Sequence, residues 1–272
     1  MTAILRLIQP PPRSNIFGSV IIIIAAILIS ISSFTWAVAA WTAPFSLILV
    51  VAALLARDIQ SLHLSIFSAA LIIFPCLYPY LHGWPFTLLV PTICYGVALL
   101  MDRRLRTSVL WLKRGILDQT TVIIIVAVSV TSAIALILWH AALKPDLSGQ
   151  LRILSSIPIW LLPVAGLAFA TSNAAIEEVA FRGIIMQALD SAAGPGIVSI
   201  LVQAWLFGAM HYLQGFPNSQ WGVAMTFVYG IILGCLRRHS RGILAPWIAH
   251  TCADMVIFGI LAAIVLAGIT VR

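Results

Sequence analysis

Charged residues are scarce in this sequence. Asp, Glu, Lys and Arg make up only 8% of its 272 residues, whereas 62% of the residues are hydrophobic. An ordinary soluble domain is about 25% charged, and no stretch between the apolar segments is long enough to bury a core of its own. The composition therefore excludes a soluble protein and predicts a single membrane domain over residues 1–272.

Cysteine pairs and a continuous basic face are also missing. The four cysteines lie singly in or beside apolar segments, without a CxxC spacing, so neither a disulfide framework nor a thiolate zinc site is indicated. The net charge of +7 comes from short clusters of Lys and Arg between apolar runs. Such clusters set membrane topology and contact anionic headgroups, so we expect the lipid bilayer as a partner and no nucleic acid.

Apolar runs of membrane-crossing length recur along the chain. A bilayer core about 30 Å thick needs about 20 apolar residues of helix, and on this basis the sequence predicts an all-α, polytopic transmembrane helical bundle of about eight to ten helices. We expect one span over Ile153 to Thr171 and a separate helix over Asn173 to Asp190. Counted this way, the basic clusters Arg103–Arg114 and Arg237–Arg241 fall on opposite sides, which indicates that one span is re-entrant or miscounted.

The only two glutamates of the chain are neighbours in an apolar stretch, Glu177 and Glu178. An ionised residue inside a bilayer costs several kcal/mol unless it is paired or faces a wet cavity. Helical positions i and i+4 share a face, while i and i+1 diverge by about 100°. Glu178 and Arg182 are therefore predicted to form a structural pair. Glu177 points elsewhere, which makes it a candidate general base.

Two histidines on later apolar segments can complete a site with Glu177. The Gly194–Gly196 turn predicts an antiparallel hairpin that brings His211 to the same membrane side as Glu177, and His250 and Asp254 form an i, i+4 pair on the last helix. All four residues could bind a divalent metal such as zinc with a water in the open position. They could equally act without a metal, as a base and an oxyanion stabiliser. The residues alone leave both possibilities open.

The motifs resemble those of a family of membrane proteases. In order, on consecutive apolar segments, the sequence has Glu177-Glu178-x-x-x-Arg182, Phe207-x-x-x-His211 and His250-x-x-x-Asp254. This ordered set is similar to that of the CAAX proteases and bacteriocin-processing enzymes, also called the Rce1-like or Abi family. The resemblance implies an all-helical intramembrane protease of the glutamate type. It begins at about Asn173, so we expect the catalytic core within residues 153–272 and generic N-terminal spans in residues 1–152.

The resemblance also implies a role for each matched residue. Glu177 and His211 would activate the attacking water, and His250 with residue 254 would stabilise the oxyanion. Many relatives have Asn at the last motif position, where this chain has Asp254. An ionised Asp cannot donate a hydrogen bond to an oxyanion, so Asp254 must be protonated, orient His250 or ligate a metal. The resemblance is thus compatible either with no cofactor or with a divalent metal.

These features define one predicted function and two alternatives. We expect an intramembrane endopeptidase, in the inner membrane of a prokaryotic cell, that cleaves a membrane-associated protein or peptide. A proton- or cation-coupled transporter could use the same buried acids and histidines to relay protons or bind a cation. A non-catalytic scaffold or immunity protein of the same fold is the third possibility, and loss of motif residues would be its mark.

Overall fold

Every regular element in the described part of the chain is helical. The computed structural model describes residues 11–213 and 215–268, so the ends of the predicted domain, residues 1–10 and 269–272, lie outside it. The α-helices are α1 (Ile16–Phe34), α2 (Ala39–Ala56), α3 (Ile59–Leu77), α4 (Phe86–Met101), α5 (Arg103–Thr107), α6 (Gln119–Leu143), α7 (Ser148–Ser155), α8 (Leu162–Glu178), α9 (Met186–Ala193), α10 (Ile197–Met210), α11 (Ser219–Ser240) and α12 (Leu244–Leu266). The prediction of an all-α fold is confirmed.

Six of the helical stretches are long and apolar enough to cross a membrane. They are Ile16–Phe34, Ile59–Leu77, Gln119–Leu143, Ile159–Ala193, Ser219–Ser240 and Leu244–Leu266. Three shorter apolar helices are Ala40–Ala56, Phe86–Met101 and Ile197–Met210. Together they give nine apolar helices within residues 11–213 and 215–268, in agreement with the predicted bundle of about eight to ten.

The glutamates lie on one continuous helix rather than after a separate span. Val179–Ile185 is π-helical and joins α8 to α9 without a break. No interruption occurs near Thr171, because the hydroxyls of Thr171 and Ser172 donate to backbone carbonyls of the preceding turn, at 2.7 and 2.6 Å. Polar residues that bond back to their own helix do not end it. The expected division into a span ending at Thr171 and a second helix is therefore wrong.

This continuity places the two basic clusters on the same side of the bundle. The backbone N–H of Ile116 donates to the carbonyl of Ser240 at 2.7 Å, and that of Ile243 donates to the carbonyl of Lys113 at 2.8 Å. The loop that follows α5 therefore lies against the turn between α11 and α12. Four crossings separate these segments, by α6, by the joined α8 and α9, by α10 and by α11. Between these two clusters, the sequence-based count had one crossing too many. The side of the bundle that contains Arg103–Arg114 and Arg237–Arg241 is the basic side.

The long helix formed by α8 and α9 passes between two groups of helices. Its second half, including Phe181 and Ile185, is buried in a core shared with α1, α2, α3 and α10. Its first half packs against α12, where Leu162 belongs to a separate core with residues of α6 and α7. The two glutamates lie where the helix passes from one core to the other. This position places Glu177 beside the space between the two groups, while Glu178 stays buried.

Candidate active site

Glu178 is the centre of a buried network of charged groups. Its Oε1 atom accepts a hydrogen bond from Arg182 Nη1 at 2.9 Å and lies 2.8 Å from His250 Nδ1. The residues Glu178 and Arg182 are 0% and 1% exposed. The guanidinium of Arg182 also lies 4.6 Å from the centre of the Phe207 ring. A charge buried without a partner is strongly destabilising, so these contacts hold the rotation of the long helix and the position of α12 together.

Glu177 projects from a different face of the helix, toward His250 of α12 and the cavity. Asn173, one turn earlier, donates from Nδ2 to Glu177 Oε1 at 3.2 Å and to Asp254 Oδ2 at 3.0 Å. His250 Nε2 lies 3.4 Å from Glu177 Oε2 and 3.8 Å from Asp254 Oδ1. The structure thus brings Glu177, His250 and Asp254 together, as well as the separate pair formed by Glu178 and Arg182.

Both ring nitrogens of His250 face carboxylates. Nδ1 lies against Glu178, while Nε2 points to Glu177 and Asp254. A neutral imidazole has only one N–H, whereas the imidazolium has two donors and satisfies both sides. With a cationic His250 and Arg182 against three ionised carboxylates, the cluster would have one excess negative charge. Accepting one proton would neutralise it, which is the capacity that a general base requires.

His211 lies at the end of α10, beside this cluster. Its Nδ1 is 2.9 Å from the carbonyl of Phe207, and because a carbonyl only accepts, Nδ1 carries the hydrogen. The opposite nitrogen, Nε2, is then an acceptor in the neutral ring. Among the described residues no hydrogen bond joins Glu177 to His211, but both side chains line the same two cavities. They can therefore act on a molecule placed between them.

The larger cavity has a volume of about 1180 Å³ and is lined mainly by apolar side chains of α6, α8, α11 and α12. The lining also includes Glu177, His211, His250 and Asp254. Pockets for small molecules are about 300–1,000 Å³, so this one can accept a larger ligand such as a peptide segment. The second cavity, about 270 Å³ in volume, extends toward α1, α3 and α4. Glu177 and His211 lie where the two spaces adjoin.

Three side chains that the sequence analysis did not assign hold the cluster in place. Asn173 bridges two carboxylates, and Trp84 Nε1 donates to Asn173 Oδ1 at 2.7 Å. Tyr229 packs edge-on against the ring of His250 at 5.6 Å and donates its hydroxyl to the carbonyl of Ala249. In the sequence, the i, i+4 spacing of Asn173 and Glu177 was the only local pattern that could have indicated one of these contacts. The contacts of Trp84 and Tyr229 depend on the packing of distant helices.

The arrangement of the acids and histidines does not fit a metal ion. Within residues 11–213 and 215–268, no group of three or more His, Cys, Asp or Glu side chains is placed to hold one. Zinc ligands lie about 2.0–2.3 Å from the metal with their donor atoms turned to it. Here Nε2 of His211 is left free, because only Nδ1 is bonded to a backbone carbonyl, but both nitrogens of His250 face carboxylates. The set proposed for a metal, Glu177, His211, His250 and Asp254, is therefore arranged for hydrogen bonding.

Comparison with known proteins concerns the half of the chain that contains the cluster. Residues 158–256 match the model of a family described as type II CAAX prenyl endopeptidase Rce1-like. No curated protein and no solved structure gave a match. The match covers all three motifs, and with six apolar helices of spanning length it identifies an integral membrane protein. The resemblance seen in the motifs is confirmed: residues 158–256, which contain all three motifs, are similar to the Rce1-like family of CAAX-type endopeptidases.

Proposed function

We propose that the chain is an intramembrane endopeptidase of the glutamate type, which hydrolyses a peptide bond in a membrane-associated protein or peptide. The observation that carries this proposal is that Glu177 and His211 both line a cavity of about 1180 Å³. That cavity lies among helices long enough to span a bilayer. A buried acid and an imidazole that share such a space can hold and activate a water molecule.

The first chemical step uses Glu177 and His211 as the water-activating pair. A water between Glu177 Oε2 and His211 Nε2 gives one proton to the carboxylate as its oxygen attacks the substrate carbonyl. The new C–O bond yields a tetrahedral oxyanion. When the C–N bond breaks, the proton held by Glu177 passes to the leaving nitrogen, so the free enzyme is restored.

The oxyanion is stabilised by His250, with Asp254 as its positioning residue. The Nε2 atom of His250 lies 3.4 Å from Glu177 and 3.8 Å from Asp254, which is longer than the usual 2.7–3.2 Å of an N–H···O bond. Its hydrogen is therefore available to a developing negative charge. Asp254, held by Asn173 at 3.0 Å, favours the cationic ring without donating a hydrogen bond itself.

We also propose a domain organisation and a location for the protein. Residues 153–272 form the catalytic core and residues 1–152 the N-terminal spans, because all motif residues lie in the former. The compact chain, with its short loops and arginine clusters, resembles a prokaryotic protein. We therefore place it in the inner membrane of a prokaryotic cell. The glutamates Glu177 and Glu178 have separate tasks, the first in chemistry and the second in the structural pair with Arg182.

The test is cleavage of an internally quenched, prenylated peptide with a CaaX terminus by the purified protein. We expect activity in the unchanged protein and a loss of about 100-fold or more in Glu177→Gln and in His211→Asn, because general acid–base catalysis contributes roughly 10²–10⁴. His239→Asn is the matched control, since this histidine is exposed on the basic side. Full activity in either site variant would contradict the assignment, and ion flux in liposomes without cleavage would favour a transporter.

A further inference from the structure

A third cavity, of about 170 Å³, lies on the basic side and is separate from the two that adjoin Glu177. The charged side chains in its lining are Lys113, Arg182, Arg237, Arg238, Arg241 and Asp190. Five cations and a single acid thus face one small space. The volume corresponds to roughly five or six water molecules, and a phosphate group has one phosphorus and four oxygens.

Among the described residues, only two of these cations have a carboxylate partner. Arg182 is paired with Glu178, and Arg238 donates to the carboxylate of Asp190 and to Ser199 Oγ. In the described part of the chain, no carboxylate lies within ion-pair distance of the other three, Lys113, Arg237 and Arg241. Because three of the five cations lack such a partner, the cavity has an unbalanced positive charge. Like charges in a partly buried space repel one another.

Hydrogen bonds between a side-chain amide and the backbone fix the loop that lines this cavity. Gln187 Oε1 accepts from the backbone N–H groups of Leu110 and Trp111, at 2.8 and 3.1 Å, and its Nε2 donates to the carbonyl of Ser108 at 3.1 Å. The loop that contains Lys113 is therefore tied to α9, as it is to the turn after α11. The cations are thus presented by a fixed frame.

Within the residues that the structure describes, four buried donors of lining residues make no hydrogen bond, Trp111 Nε1 and the Nε atoms of three arginines. The Nε atoms of Arg237 and Arg238 are inaccessible and make no hydrogen bond. Arg237 has one long bond, from Nη2 to the carbonyl of Trp111 at 3.5 Å. A buried donor without an acceptor is costly. An anion with several oxygens in the cavity would neutralise the charge of these arginine side chains and accept from their terminal N–H groups.

We propose that this cavity is a binding site for a phosphate-bearing anion, supplied by the headgroup of an anionic phospholipid. Guanidinium groups match phosphate oxygens in pairs, and basic pockets between transmembrane helices favour anionic headgroups. The cavity lies at the end of Ser219–Ser240, a helix of spanning length, which is the depth of a headgroup. The bound phosphate fastens α9, which is the end of the helix that carries the glutamates, to α11 and to the loop after α5.

Lipid binding to the purified full-length protein tests this proposal. Native mass spectrometry and thermal unfolding in a neutral detergent would compare dioleoyl phosphatidylglycerol, dioleoyl phosphatidylcholine and inorganic phosphate. We expect retention of phosphatidylglycerol and a raised melting temperature, with neither effect for phosphatidylcholine, whose choline the cations repel. Protection by inorganic phosphate equal to that by phosphatidylglycerol would support the phosphate site and assign it to the soluble anion. Equal effects of the two lipids, with none from phosphate, would overturn the proposal.

A matched pair of variants separates this cavity from general surface charge. Arg237→Gln/Arg241→Gln removes two unpaired cations and should weaken phosphatidylglycerol binding about tenfold or more. Arg103→Gln/Arg106→Gln removes two exposed arginines outside the cavity and should leave the affinity unchanged. Lys113→Gln, on the loop, is the substitute if the double variant does not fold. Unchanged affinity in the cavity variants, or an equal loss in the control, would contradict the site.

Discussion

At the scale of single residues, the orientation of one amide determines how the carboxylates are held. The indole N–H of Trp84 can only donate, so the atom of Asn173 that faces it at 2.7 Å must be the oxygen. The amide nitrogen of Asn173 is then directed to Glu177 and Asp254, which can both accept. Two carboxylates that would repel each other are joined by one donor group, and Glu177 is kept on the cavity wall.

Replacement of Asn173 by alanine should therefore impair catalysis more than folding. A hydrogen bond to a charged group contributes about 1.5–3 kcal/mol, so we expect kcat to fall roughly 10- to 100-fold with a small change in KM. Asn218→Ala is a suitable control, because Asn218 is exposed and its side chain does not cap α11. Peptide cleavage and melting temperature would be measured together. An equal loss in kcat and in folded protein would indicate a purely structural role.

The arrangement of hydrogen bonds also predicts the response to metal removal. Both ring nitrogens of His250 face carboxylates, and in the described residues no group of three or more His, Cys, Asp or Glu side chains is placed to hold zinc. Treatment of the active protein with EDTA or 1,10-phenanthroline is expected to leave cleavage unchanged. A chelator-sensitive activity that returns on addition of zinc would show that these side chains rearrange around a metal.

At the scale of helices, the π-helical stretch Val179–Ile185 directly follows the two glutamates. Arg182 lies within it and still reaches Glu178 at 2.9 Å. Gly183 lets the ring of Trp111 approach the helix, since a Cβ atom there would lie only 2.9 Å from that ring. The stretch thus joins the site on one face to the loop of the basic side on another, and π-helical insertions are frequent at functional sites.

The pair formed by Glu178 and Arg182 should be a determinant of stability. Removing one partner leaves a buried charge, which costs about 3–5 kcal/mol, so Arg182→Ala should lower the melting temperature of the purified protein markedly. Arg104 provides the matched control, because its ion pair with Asp102 is exposed, with the Arg104 side chain 82% accessible, and such pairs contribute about 0–1 kcal/mol. Similar melting temperatures for Arg182→Ala and Arg104→Ala would argue against a structural pair.

Local spacing along helices explains what could be predicted here from the sequence. Glu178 and Arg182 are four residues apart, so helical geometry alone indicated their contact. The approach of His250 to Glu178 joins residues 72 positions apart and depends on how α12 packs against α8. The continuity of α8 and α9 was missed for a similar reason, because a polar Thr171 signals a helix end unless its hydroxyl bonds within the helix.

At the scale of the whole molecule, the charge distribution predicts the orientation in the membrane. The basic side contains the clusters around Arg103–Arg114 and Arg237–Arg241. In the described residues, the connections on the opposite side contain only two Lys or Arg residues, Lys144 and Arg152. Positively charged loops remain in the cytoplasm. The basic side is therefore expected to be cytoplasmic. The large cavity extends from Glu177 toward the opposite side, where Gly149 of α7 contributes to its lining.

Single cysteines in a protein whose four native cysteines have been replaced would test this orientation. In intact bacterial cells, a membrane-impermeant maleimide should label Lys144→Cys but neither Arg114→Cys nor His239→Cys, and all three should react after lysis, since each of these positions is exposed. Arg114 and His239 must respond alike because the structure has four crossings between their loops. Opposite labelling of these two would contradict the continuous helix of α8 and α9. Labelling of both, with Lys144→Cys protected, would reverse the orientation and place the opening of the Glu177 cavity toward the cytoplasm.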